Sequence, residues 1–115
     1  MKRVKRYQVR EEPIEDARRA GRYHPSLEIT FRDKTGPHTH EISAGHSDEI
    51  HVYREDGVTY VLARNDRLPY VGIEAFQGQD KVGELFLQEG QVQEALGRDD
   101  LASVTIIKRL QECLI

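Results

Sequence analysis

The sequence predicts an α+β domain: a mostly antiparallel sheet of six to seven strands, arranged as a meander, half-barrel or barrel, closed by an amphipathic C-terminal helix. Three observations carry that prediction. Between Glu49 and Gln88 four short strand-like runs follow one another, each separated by turn residues. Asp56-Gly57 stands between the first two, and Asp-Gly between alternating apolar runs marks a hairpin, because a type I′ turn needs positive φ at its central residues. Near the C-terminus Leu101, Val104, Ile107, Leu110 and Leu114 recur at spacings of three or four, which makes one apolar stripe on a helix spanning about residues 99–114.

Taken in order, Arg3 to Val9 reads as a first strand with Val4, Tyr7 and Val9 as its apolar members, and residues 1–10 form a basic arm. Pro13 follows Glu11 and Glu12, and Glu15 and Asp16 precede Arg18 and Arg19. Acids before bases complement the dipole of a short helix, which Gly21 then stops. Leu27, Ile29 and Phe31 alternate with Glu28, Thr30 and Arg32 as a half-buried strand. Asp33 to Pro37 is a turn, His38 to Ser43 pairs back as a weaker strand, and residues 43–47 are loop. Glu49–Arg54 and Val58–Ala63 form the Asp-Gly hairpin. Tyr70–Phe76 and Val82–Leu87 repeat the pattern across Gln77 to Asp80. After Glu89-Gly90, Val92 and Leu96 give a short helical turn ended by Gly97, and Asp99 or Asp100 caps the final helix.

Two architectures share this order. In a pleckstrin-homology-like barrel a C-terminal helix plugs one open end. In a helix-grip arrangement a curved sheet wraps a long last helix and leaves an apolar cavity. The order strand, short helix, six strands, long helix is similar to the second. The likeness is one of topology and transfers no function.

At 115 residues the chain is read as a single domain, 1–115, large enough to bury a core without a metal or disulfide staple. Apolar content of 37% with no tryptophan, against 32% charged residues, describes a lean core under a heavily solvated surface. Cys113 is the only cysteine, so no internal disulfide forms, and a lone thiol fits a reducing compartment. The basic start is followed by no apolar run of the kind a secretory leader needs. No run reaches the roughly 20 apolar residues of a membrane span. These readings lead to the expectation of a cytoplasmic protein. The net charge of −3 hides an asymmetry: residues 1–22 carry eight Lys/Arg against four Asp/Glu, and the rest carry nine against sixteen. A basic arm on an acidic body is either a polyanion contact or a solvated strand whose charges pair with that body.

Chemistry-bearing residues are few. His38 and His40 stand two apart and share a strand face, so with His46, Glu49 or His51 they are the candidate metal ligands. The His-x-His pair resembles the start of the cupin motif, which also requires a glutamate a few residues on. Here Glu41 is adjacent and points to the opposite face. The H-E-x-x-H pattern that His40-Glu41 opens ends at Ala44, so the metalloprotease motif is not met. Gly78 and Gly83 have phosphate-loop spacing, yet Glu84 stands where that motif needs lysine. Cys113, beside Leu110 and Leu114, reads as a small buried hydrophobe. Glu74 and Glu84, with Asp80, can lie across a hairpin as paired carboxylates of raised pKa or as a solvated face with Lys or Arg partners.

No catalytic residue, metal or cofactor follows from these patterns. The expected role is a small non-catalytic protein-binding or regulatory module, acting on a protein partner or by self-association as a homodimer. Its expected interaction surface is Tyr70, Phe76, Val82 and Phe86, because the last hairpin is apolar on both faces. One alternative is a ligand-binding or enzymatic domain with an apolar cavity between sheet and C-terminal helix. Another is nucleic-acid contact through Lys2, Arg3, Lys5, Arg6 and Tyr7, where an aromatic stands among bases. No membrane partner is expected.

Overall fold

Three tight turns set the strand pairing. Asp56 and Gly57 both have positive φ, 50° and 78°, and join Val58 to Glu55 directly, the type I′ hairpin that Asp-Gly predicts. Gly78, at φ 62°, is the first central residue of a two-residue loop between Gln77 and Asp80, where a type II′ turn takes glycine. The third turn, Asp33 to Gly36, is held by the Asp33 carboxylate, which accepts from the Thr35 backbone N–H at 2.9 Å.

The computed structural model describes residues 2–23, 25–43, 49–64, 70–88, 107–108 and 110–112, the side chains at 70, 87 and 88 excepted. The loop over 44–47, His46 within it, lies outside the described residues. So do the turn at Val92 and Leu96, the cap at Asp99 or Asp100, and Leu101, Val104, Cys113 and Leu114.

The strands are β1 (Lys2–Arg3), β2 (Gln8–Glu11), β3 (Leu27–Asp33), β4 (Gly36–Ile42), β5 (Glu49–Glu55), β6 (Val58–Arg64), β7 (Tyr70–Gln77) and β8 (Asp80–Gln88), with α1 (Ile14–Arg19) between β2 and β3. They form two antiparallel sheets, a five-stranded one in the order β1-β5-β6-β7-β8 and a three-stranded one in the order β2-β3-β4. This corrects the expectation of one sheet of six to seven strands curling into a half-barrel or barrel: the described strands number eight, in two sheets, and the sheet is not closed into a barrel.

The expected first strand also divides. Lys2 and Arg3 pair with Arg54 and Tyr53 in the larger sheet, while Gln8 to Glu11 pair with Thr30 to Leu27 in the smaller. Residues 4–7 cross between them, tied by the Val4 N–H to the Val52 carbonyl at 2.8 Å and by the Tyr7 hydroxyl to the Ile50 carbonyl. β1 docks on the edge that β5 leaves open in the larger sheet, whereas Val9 registers with Ile29 in the smaller one. The basic segment is therefore built into both sheets and is not a free arm.

The helix α1 starts after Pro13, has Glu15 and Asp16 in its first turn and Arg18 and Arg19 in its last, and buries Ala17. Gly21, at φ 76°, ends it, with its N–H on the Arg18 carbonyl and the Arg22 N–H on that of Ala17.

Because strand side chains alternate, the larger sheet has two buried faces. One, bearing Val52, Val61, Ala63 and Phe76, packs on Leu27, Ile29, Phe31 and Ile42 of the smaller sheet. The other, bearing Tyr53, Tyr60, Leu62, Val71, Ile73 and Ala75, packs on Ile107 and Leu110. Residues 107–108 and 110–112 are helical, and Gln111 donates to Glu55 and to the Tyr60 hydroxyl at 2.9 and 3.1 Å. Each large aliphatic side chain sealed this way contributes about 1.5–3 kcal/mol.

No described helix is long and apolar enough to cross a membrane.

Candidate functional site

The inner face of β4 is where the sequence's histidines go. His38, His40 and Ile42 alternate inward, and the rings of His38 and His40 stack, 6.4 Å between centroids and 11° between planes. His40 also stacks on Phe76 at 4.8 Å and is only 4% exposed, and neither of its ring nitrogens has a hydrogen-bond partner among the described residues. Burial, reinforced by the charges of His38 and Arg54, pushes its pKa down to about 4, so at neutral pH the ring is uncharged.

His38 has a different environment. Its Nε2 lies 2.8 Å from Asp33 Oδ1, and Thr35 Oγ1 stands equally close. Arg54 reaches the same carboxylate at 3.3 Å, donates to the Gly57 carbonyl and to Thr59 Oγ1, and lies 6.0 Å from the Phe31 ring. The Thr35 hydroxyl foremost, with His38, holds the Asp33 carboxyl well below the usual carboxylate range. This network staples the β3–β4 turn to the β5–β6 turn.

His51 lies on the opposite face of the larger sheet from His40, bonded to Glu49 at 2.7 Å and to Arg3 at 3.1 Å. The structure thus brings His38 and His40 together and keeps His51 away. Among the described residues no three His, Cys, Asp or Glu side chains gather as a metal site.

Glu74 and Glu84 face each other across β7 and β8, as their spacing suggests. Glu74 is 4% exposed; its Oε1 accepts from the Ser43 N–H at 3.1 Å, and Lys81 Nζ stands 3.5 Å from its Oε2 while binding Glu84. Burial raises the pKa of Glu74 against those two stabilising contacts. The lysine between the carboxylates makes this a linked ion cluster that ties the end of β4 to β7.

The expected interaction surface divides as well. Phe76 is 3% exposed, so its place on a bare surface is corrected: it lies between the sheets because the smaller sheet covers β7, as the His40 stack and the Ser43–Glu74 bond show. The side chain of Tyr70 lies outside the described residues. Val82 and Phe86 remain exposed, at 38% and 57%. Val82 is the extra residue of a bulge, since Ala75 pairs with Gly83 and Phe76 with Lys81. Phe86 lies over Gly72, whose backbone leaves room for the ring: a Cβ there would stand 3.0 Å from it. At the other face, Ile107 and Leu110 pack onto the sheet.

The basic residues separate too. Lys2 and Arg3 belong to the β1 edge. Lys5, Arg6 and Tyr7 line an open cleft of about 780 Å³ together with Gln8, Thr30, Phe31, Arg32 and Pro37. Arg32 escapes a reading of the sequence because only the pairing of Gln8 with Thr30 brings it beside residues 5–7. Comparison with protein-family models, with curated proteins and with solved structures finds no match to this chain.

Proposed function

We propose that the protein is a small non-catalytic protein-binding module whose contact surface is the β8 edge, and that the partner seated there is a second copy of the chain. The observation that carries this reading is the exposure of Phe86 on the strand that ends the five-stranded sheet among the described residues. The first half of β8 is guarded in the way natural edges are, by the Val82 bulge and by the charges of Lys81 and Glu84. The second half, Leu85-Phe86-Leu87, carries no charge.

The register of self-pairing follows from side-chain opposition. An antiparallel pair centred on Glu84 sets like charges against each other, which is unfavourable. Centring on Phe86 sets the two phenylalanines together, Leu85 against Leu87 of the other copy, and Glu84 against an uncharged glutamine. Such a pairing continues the sheet through a two-fold axis.

Light scattering and circular dichroism test it. Phe86→Glu is expected to abolish association and leave the fold intact, since the side chain is more than half exposed. A parent protein that stays monomeric at micromolar concentration, or a variant that associates like the parent, overturns the reading.

A further inference from the structure

The outer face of the smaller sheet has two ends of opposite electrostatic character. At one end Arg10 registers with Glu28, Glu28 with Glu41, and Arg22 binds both Glu41 and Glu12, so the cations there sit among acids. At the other end Arg32 registers with Pro37, and the linker brings Lys5 and Arg6 alongside. Among the described residues these three exposed side chains have no acidic partner, and no acid lines the cleft they share. The adjacent carboxylate, Asp33, is engaged by His38, Thr35 and Arg54. In a chain of net charge −3, three unneutralised cations around one opening are a concentration of positive potential with nothing inside the fold to balance it.

We propose that this cleft binds a small organic phosphate carrying two or more negative charges. Arg6 and Arg32 supply planar guanidinium forks that match phosphate oxygens, and Lys5 supplies a third charge. Gln8 and Thr30 add neutral hydrogen-bonding groups, and the exposed Pro37 gives an apolar surface for the organic part. The opening falls in the size range of small-ligand sites, roughly 300–1,000 Å³. A single carboxylate would leave two of the three charges unmatched; a diphosphate would not. The phosphate can belong to a free nucleotide or to the end of a nucleic-acid strand.

The probes are mant-labelled ADP, inorganic pyrophosphate, a 5′-phosphorylated fluorescent oligodeoxythymidine and a short oligoglutamate, titrated at low salt against the full chain. Saturable mant-ADP binding, competed by pyrophosphate, is expected. Arg6→Gln with Arg32→Gln should weaken it by about tenfold or more, with circular dichroism and melting unchanged, because those side chains support no described contact. Arg10→Gln with Arg19→Gln makes the same charge change away from the cleft and should leave affinity within about twofold. If the oligonucleotide binds tighter than mant-ADP with the same sensitivity to Arg6 and Arg32, the phosphate comes from a strand and the site stands. If no phosphate probe binds, if both double variants weaken binding equally, or if oligoglutamate binds tightest, the proposal is overturned.

Discussion

The two covered faces of the five-stranded sheet solve burial differently. Toward the C-terminal helical residues the sheet presents aliphatic side chains and two tyrosines, sealed by Ile107 and Leu110. Toward the smaller sheet it presents Thr59, Glu74 and Arg54 among its apolar residues, and His40 comes in from β4. Each polar group on that side except His40 is met by a partner: Arg54 by Asp33, Glu74 by Ser43 and Lys81, Thr59 by Arg54. To its buried area the first face adds the Gln111 hydrogen bonds to Glu55 and the Tyr60 hydroxyl, and the other adds a set of charges that must be in the right protonation state. Acid sensitivity should therefore reside mainly between the sheets, where His40, Glu74 and Asp33 lie.

Cavities are the largest test of that difference. Phe76→Ala and Ile73→Ala, on opposite faces of β7, should each destabilise the fold, by about 3–5 and 2–5 kcal/mol in urea denaturation. Only Phe76→Ala should also change the pH dependence, because it removes the ring stacked on His40 and admits water to the imidazole. Equal pH profiles for the two variants would mean that the two faces of the sheet do not differ in acid sensitivity.

A smaller effect separates the two buried ionisable groups. The depressed pKa of His40 means that the unfolded chain binds a proton between about 6.5 and about 4 while the folded chain does not, so its contribution makes stability fall as pH is lowered through that window. The raised pKa of Glu74 acts in the opposite sense: above the ordinary glutamate value the folded state holds the extra proton, so its contribution makes stability fall as pH rises. Melting temperature followed against pH should therefore fall less between about pH 6.5 and 4 in His40→Leu and more steeply in Glu74→Gln. A His40→Leu profile that superimposes on the parent's would remove His40 from the account.

The smallest expected effect lies outside both faces. In Gly57→Val the Cβ meets no neighbouring atom, but a β-branched residue is forced to φ 78°, which should cost about 1 kcal/mol or slightly more. An unchanged melt would mean that the turn relaxes without strain.

What could be read from the sequence was whatever its neighbours in the chain decide. The Asp56-Gly57 hairpin, the Gly78 hairpin, the Gly21 helix stop and the alternation of Leu27, Ile29 and Phe31 are local, and each stands where the pattern puts it. The opposition of Glu74 and Glu84 across a hairpin was equally legible. The partition into two sheets was not, because it turns on Lys2 and Arg3 choosing β5, some fifty residues away, with no apolar pattern to announce it. The burial of His40 was hidden for a similar reason: β4 has Ile42 as its one large aliphatic residue, and His40 is covered by Phe76 from another sheet. The cleft needed both facts at once, since Lys5 and Arg6 meet Arg32 where the linker leaves β2.

The crossing segment at residues 4–7 has a consequence for how the molecule assembles in time. The hairpins β3–β4, β5–β6 and β7–β8 join strands adjacent in the chain and can close in microseconds. β1 has no place to dock until β5 exists, and its closure spans the stretch from Lys2 to Arg54. The earliest residues in the chain are thus among the last to be placed, a clasp that locks two preformed halves. Kinetic experiments should find Val4 and Tyr7 substitutions speeding unfolding while leaving the folding rate nearly untouched.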